Sequence, residues 1–133
     1  MAITKNVGRQ ELVAAYVDIN LADVTTATDI AALDLPVGAV IVSGALVTTE
    51  AWNSTTSDVM DVGDATTQNR YLNDGDIRAL AARVPLVPTG FVHTATQNTL
   101  TVRWVSGGGT PTTGKVRLEV QYYVKGRAAF SQG

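Results

Sequence analysis

The sequence predicts an all-β domain, an antiparallel sandwich or barrel, on three observations. Threonine, valine and glycine are abundant, aspartate far outnumbers glutamate and lysine is scarce, a bias toward strands and turns and away from helices. The run Lys115–Lys125 alternates strictly. Val116, Leu118, Val120, Tyr122 and Val124 point one way, while Lys115, Arg117, Glu119, Gln121, Tyr123 and Lys125 point the other. Seven or eight strand-like segments follow one another with turn signals between them.

Each element can be argued in order. The first strand is expected over about Glu11–Ile19, after a polar lead-in, and a second over Ala27–Leu33. Asp34-Leu35-Pro36-Val37-Gly38 reads as a turn, because proline fixes φ and glycine supplies the unusual one. Ala39–Thr49 is apolar on both faces through Val40, Ile41, Val42, Ala45, Leu46 and Val47, which places it centrally in a sheet. Trp52–Ser57 is a loop and Asp58–Val62 a short strand. Gly63–Gly75 is mostly polar, with Tyr71 and Leu72 as anchors. Asp76–Val84 supports two readings. Ile77, Leu80, Ala81 and Val84 fit a helical stripe that Asp76 would cap, and the same stretch fits an irregular strand. Pro85 and Pro88 close it either way. Gly90–Thr94 and Thr99–Val105 are expected to form a hairpin around Ala95–Asn98, with Leu100, Val102 and Trp104 inward and Thr101 and Arg103 outward. Ser106–Gly114 is a flexible Gly/Thr/Pro loop before the last strand.

Composition narrows the function. A chain of 133 residues is one domain with one core. Only 17% of it is charged, against about a quarter in an average soluble domain, so part of the surface is expected to be covered. The net charge is −2 and the ten Lys and Arg are spread from Lys5 to Arg127, so no basic field invites nucleic acid. Without cysteine there is neither a disulfide framework nor a thiolate metal site. Met1-Ala2-Ile3-Thr4-Lys5 lacks a basic-then-apolar leader and no apolar run reaches membrane-spanning length. The chain is therefore expected to be made and used without secretion and to have no membrane partner.

Candidate chemistry is sparse. His93, the only histidine, lies between Val92 and Thr94 in an expected strand with no partner to orient it as a base, so it reads as a polar strand residue or a subunit contact. Gly109-Thr110-Pro111-Thr112-Thr113-Gly114-Lys115 matches most of a phosphate-binding loop. Val116 stands where the magnesium-binding hydroxyl belongs, and a strand follows instead of a helix, so a hairpin loop is the reading. Asp58, Asp61 and Asp64, spaced by three, and Asn73-Asp74-Gly75-Asp76 suggest calcium, yet the distal bidentate glutamate is missing and neighbours in the trio fall on opposite strand faces. Turn formation explains these aspartates better, with a weak structural calcium site as the alternative. Asn53-Ser54-Thr55 is a glycosylation sequon with no secretory signal to make it one. No catalytic residue, cofactor or metal ligand is assigned.

The remaining residues point to contacts. Trp52 and Trp104 are core or interface anchors by default, and Tyr122 and Tyr123 split across the two faces of the last strand. A sandwich over residues 11–125 is expected to carry flexible arms, residues 1–10 and 126–133, with Met1–Arg9 and Lys125–Gln132 at their heart. Phe130 is the anchor expected to fill a pocket on a neighbour. The expected partner-binding residues are Arg9, Trp52, Tyr123, Lys125, Arg127 and Phe130.

Several stretches carry a resemblance. Val7-Gly8-Arg9-Gln10-Glu11-Leu12-Val13-Ala14-Ala15-Tyr16-Val17, Leu35-Pro36-Val37-Gly38-Ala39-Val40-Ile41-Val42-Ser43-Gly44-Ala45, Val62-Gly63-Asp64 through Asn69-Arg70-Tyr71-Leu72, and Val120-Gln121-Tyr122-Tyr123-Val124-Lys125-Gly126-Arg127-Ala128 occur in that order over most of the chain. Together they resemble the small capsid decoration, or cement, proteins of tailed bacteriophages. The resemblance implies a jelly-roll-like β-sandwich on the outside of an icosahedral head, made in the bacterial host cytoplasm. Its implied partners are the major capsid protein and further copies of itself as a dimer or trimer, with no catalytic residue. The alternative is a tail or fibre module that grips host-surface glycan through Trp52 or the Ser106–Gly114 loop.

Overall fold

The computed structural model describes residues 11–125, which form strands β1 (Val13–Asn20), β2 (Thr28–Asp34), β3 (Ala39–Glu50), β4 (Asp58–Asp64), β5 (Leu72–Asp76), β6 (Arg83–Pro85), β7 (Thr99–Ser106) and β8 (Lys115–Val124). The one helical turn among them, Leu21–Asp23, bridges β1 and β2. Two antiparallel four-stranded sheets result, in the orders β1-β8-β3-β6 and β2-β7-β4-β5. Successive pairings β4 with β5, β3 with β6, β2 with β7 and β1 with β8 are nested about the Asp64–Leu72 connection. The chain is thus one doubled ribbon wound into two sheets, and β3–β8 and β4–β7 contacts close each sheet. This is the order of an eight-stranded jelly roll.

Alternation decides which side chains fill the gap between the sheets. Val116, Leu118, Val120 and Tyr122 of β8, with Ile19, Ile41 and Leu46, face Met60 and Val62 of β4 and Leu100, Val102 and Trp104 of β7. Apolar residues from the connections, among them Leu35, Trp52, Tyr71, Ile77 and Leu86, plug the two ends. β3 is flanked by β8 and β6, as its apolar character on both faces predicts.

Three expectations fail, each for a physical reason. The helical reading of Asp76–Val84 fails because Ile77 is buried while Leu80 is 64% exposed, so no common stripe exists. Ala81 takes a left-handed φ of 66°, and its N–H bonds Thr48 of β3 while Ala82 accepts from Thr48. Asp76 accepts a hydrogen bond from the Arg78 N–H at 3.0 Å, and so caps a turn. The expected hairpin of Gly90–Thr94 with Thr99–Val105 fails because β7 pairs with β2 and β4, and Val92 makes only an isolated bridge to Val40. Ser106–Gly114 is no hairpin loop either, since it crosses from one sheet to the other.

That crossing is pinned. Asn53 Oδ1 accepts the N–H groups of Thr112 at 2.8 Å and Thr113 at 3.2 Å, and a side chain at Gly114 would collide with the Trp52 ring. Under it lies a buried polar junction built on Asp58, the first residue of β4. Its carboxylate accepts Ser54 N–H at 3.1 Å, Ser54 Oγ–H at 2.5 Å and Trp104 Nε1–H at 3.0 Å. Ser54 Oγ also meets Ser106 Oγ at 2.8 Å. Expected to form turns, Asp58 instead gathers a turn from inside the protein.

Candidate interaction surface

The opposite end of the sandwich is where residues 11 and 125 lie side by side. β1 begins with Val13 opposite Tyr122, and β8 ends with Val124 opposite Ala39. The Lys125 N–H bonds the Gly38 carbonyl at 2.7 Å, and the Gly38 N–H bonds the His93 carbonyl at 2.7 Å. These register positions bring Leu12, Val13, Val37, Val42 and Val92 to one end, all of them exposed; Leu12 is 55% and Val37 57% exposed. Tyr123, partly exposed on the outward face of β8, and exposed Lys125 border the group. Clustered exposed apolar side chains rimmed by polar ones mark an interaction site more often than a bare surface.

The ground beneath this patch is stiff although the Leu86–Asn98 segment forms no strand. Its backbone is tied by Leu86 N–H to Gly44, Val87 N–H to Tyr71 and His93 N–H to Ala39, each at 2.8–2.9 Å. The side chain of Asn98 donates to the Leu35 carbonyl at 2.9 Å. His93 is fully buried, which corrects its reading as a subunit contact. Its Nδ1 lies 2.7 Å from the Gln97 carbonyl, which only accepts, so Nδ1 carries a proton. Nε2, 2.7 Å from the Tyr71 hydroxyl, then accepts from it in the neutral imidazole. With both nitrogens engaged inside the core, the ring is a joint and not a catalyst.

A second network abuts it. Asp64, the last residue of β4 and fully buried, accepts the N–H groups of Thr66 at 3.0 Å and Thr67 at 2.8 Å and pairs with Arg70 Nε at 2.5 Å. Arg70 stacks over the Phe91 ring, 3.6 Å from its centroid, and Phe91 meets His93 edge-on. Burial alone would raise the Asp64 pKa; the Arg70 bond and the two N–H donors outweigh it and hold the carboxyl below its usual value. Burial pushes the Tyr71 hydroxyl up to about 12. A carboxyl with a lowered folded pKa contributes stability above its unfolded value of about 4, and that contribution is lost as pH falls through the folded value. Below about pH 4 the melting temperature is therefore expected to fall more steeply for the wild type than for Asp64→Asn. Parallel pH–melting curves for the two proteins would refute this assignment.

The third aspartate of the trio, Asp61, is also buried, on the opposite face of β4, and accepts the Asp74 N–H at 2.6 Å. Among the described residues no group of three or more His, Asp or Glu side chains is placed to hold a metal ion. Of the expected partner-binding residues, Tyr123 and Lys125 lie at the patch, and Arg9, Arg127 and Phe130 lie outside the described residues. Trp52 is corrected. At 2% exposure, stacked 5.4 Å from Trp104, it anchors the core and offers no platform to sugar or protein. The exposed apolar residues Leu12, Val42 and Val92 were missed, because exposure at a strand end depends on partners far away in sequence.

No protein-family model matches the chain, and no curated protein does. Solved structures do match it in fold. A chain of the cyanophage Pam1 capsid asymmetric unit aligns with a TM-score of 0.70 at 21% identity, over 93% of this chain and 92% of that one. A chain of the Ralstonia phage GP4 capsid gives 0.68 at 18% identity, over 96% and 91%. A chain of the capsid of Helicobacter pylori bacteriophage KHP30 gives 0.57 at 19% identity, over 86% and 93%. At these identities the likeness is one of fold, and it spans the chain nearly end to end.

Proposed function

We propose that this protein is a structural virion component that binds the outside of a phage capsid and stabilises contacts between major capsid protein subunits. The carrying observation is the near end-to-end fold match with chains of comparable length in three phage capsids. Reciprocal coverage means those chains are single sandwiches of this size. A lone sandwich suits an added component that works by area and copy number, with many modest contacts multiplied over the shell. The patch of Leu12, Val13, Val37, Val42 and Val92 supplies the apolar centre of such a contact, with Tyr123 and Lys125 at its rim. The described sandwich begins and ends at this same end, and the proposed role takes residues 1–10 and 126–133 as arms that extend the contact. Nothing in this role calls for a catalytic group. The glycan-binding alternative loses Trp52 as a platform, since that ring is buried, and would rest on the Ser106–Gly114 loop alone.

The test is co-sedimentation of the purified protein with phage heads that lack it, scored by occupancy and by head survival on heating. Saturable binding at a fixed ratio to capsid subunits, with improved survival, is the expected result; absence of binding overturns the reading. The double variant Val42→Asp/Val92→Asp is expected to lower head affinity at least about tenfold while keeping the fold, because both side chains are exposed members of the patch. Leu80→Asp/Val87→Asp, at residues more exposed but not counted in the patch, is expected to bind as the wild type does. Equal loss in both variants would remove the patch from the argument.

A further inference from the structure

Two sheets with open edges present four edge strands, and three of them are blunted. β6 is three residues long and contains Arg83 and Pro85. β5 carries Asp74 and Asp76, Gly75 and a register break against β4. β2 is interrupted by a register shift between Ala31 and Leu33 and carries Asp29 and Asp34. Bulges, charges, prolines and shortness are the devices by which sheet edges avoid pairing with other chains.

β1 has none of these except one charge. Its eight residues, Val13–Asn20, contain no proline, glycine or basic residue, and their register with β8 is unbroken from Val13↔Tyr122 to Asn20↔Lys115. Among the described residues, no backbone or side-chain group hydrogen-bonds the outward-pointing N–H and C=O groups of Val13–Ile19. Its inward side chains Ala15 and Val17 pack on the core but remain only partly buried. Its outward Tyr16 is 67% exposed, the most exposed large apolar side chain described. The edge is both unprotected and incompletely covered.

We infer that β1 pairs antiparallel with β1 of a second copy of this chain, joining two β1-β8-β3-β6 sheets into one continuous eight-stranded sheet about a two-fold axis near Tyr16 and Val17. The charge pattern favours a second copy as the occupant. Asp18 is the only charge on the strand, and an axis at Tyr16–Val17 sets it across from Ala14 or Tyr16 of the other copy, never from another aspartate. Directly opposed residues share a face, so Tyr16, Ala14 and Asp18 of both copies stay on the outer surface of the joined sheet. The same pairing covers the half-buried Ala15 and Val17.

The inference is independent of the capsid reading, and its test uses the purified full chain without heads. Sedimentation equilibrium is expected to return twice the chain mass of 14.0 kDa. Tyr16→Lys, an exposed substitution that adds an edge lysine, is expected to weaken self-association at least about tenfold with an unchanged circular-dichroism spectrum. Because the chain has no cysteine, single-cysteine variants report contacts between copies directly. Tyr16→Cys is expected to cross-link efficiently with a short bismaleimide, and Thr28→Cys on β2 and Asp74→Cys on β5 are not. A monomer up to millimolar concentration, equal cross-linking at all three sites, or a trimer insensitive to Tyr16→Lys would each overturn the pairing. So would a dimer that forms only after residues 1–10 are removed, since that segment would then own the edge.

Discussion

Asp58→Ala is expected to destabilise the protein by about 3–5 kcal/mol, lowering its melting temperature by roughly 10–20 °C. The carboxylate is fully buried and is the shared acceptor for Ser54 N–H, Ser54 Oγ–H and Trp104 Nε1–H. Removing it strands the backbone donor of Ser54 and the indole donor of Trp104 where water does not reach, and opens a void beside two packed tryptophans. Arg78 Nη1, 3.9 Å away, is buried without a hydrogen-bond partner, so loss of the carboxylate also leaves that cation uncompensated. Asp58→Asn keeps the volume but replaces one acceptor oxygen by a donor, so an intermediate loss is expected. Thermal melts followed by near-ultraviolet circular dichroism read both stability and the tryptophan environment. A loss below about 1 kcal/mol for Asp58→Ala would show that the junction is solvated and the argument wrong.

The second large effect is expected at Gly63, the penultimate residue of β4, where glycine is otherwise a weak choice. A Cβ there would fall on the Thr67 carbonyl and the Gln68 backbone, which fold back over the outer face of β4. Backbone on both sides cannot swing away as a flexible side chain would. Gly63→Ala is therefore expected to cost about 3 kcal/mol or more, beyond ordinary overpacking, and to loosen the loop that Asp64 holds. Gly90→Ala is the comparison: φ is 79°, but nothing lies within 4 Å of the new atom. Backbone strain alone gives about 1–2 kcal/mol there. Equal melting temperatures for the two variants would refute the close-approach argument.

The sequence is legible where local alternation and burial coincide. β8 reads correctly because its inward residues, from Val116 to Val124, all meet the facing sheet. β3 reads correctly as central because β8 and β6 flank it, although Val42 on it remains exposed. Legibility fails where pairing is non-local. Thr99–Val105 was matched to its sequence neighbour Gly90–Thr94, as hairpins usually are, but a jelly roll gives β7 partners at residues 28–34 and 58–64. The aspartates of β4 look like turn formers because only the folded chain reveals donors converging on Asp58 and Asp64 from other segments. His93 misleads similarly. Nothing near it in sequence announces the Tyr71 hydroxyl that satisfies it. The outward placement of Tyr123 and Lys125 was legible from one alternating strand, whereas the exposure of Val42 and Val92 depends on how separate segments end together.

The nesting of strand pairs sets the order in which this protein can acquire structure during synthesis. β1 is made first, yet its partner β8 is made last, and β3 waits for the same strand. The earliest pair available to a growing chain is β4 with β5, and it alone is too small to be stable. Completion of the first sheet therefore waits until β8 has been made, and it is slow because distant segments must meet before any contact compensates for loop closure. Throughout that interval Ala39–Glu50, apolar on both faces, is exposed without its flanking strands. High-level production thus exposes a sticky nascent chain, which makes aggregation a competitor of folding.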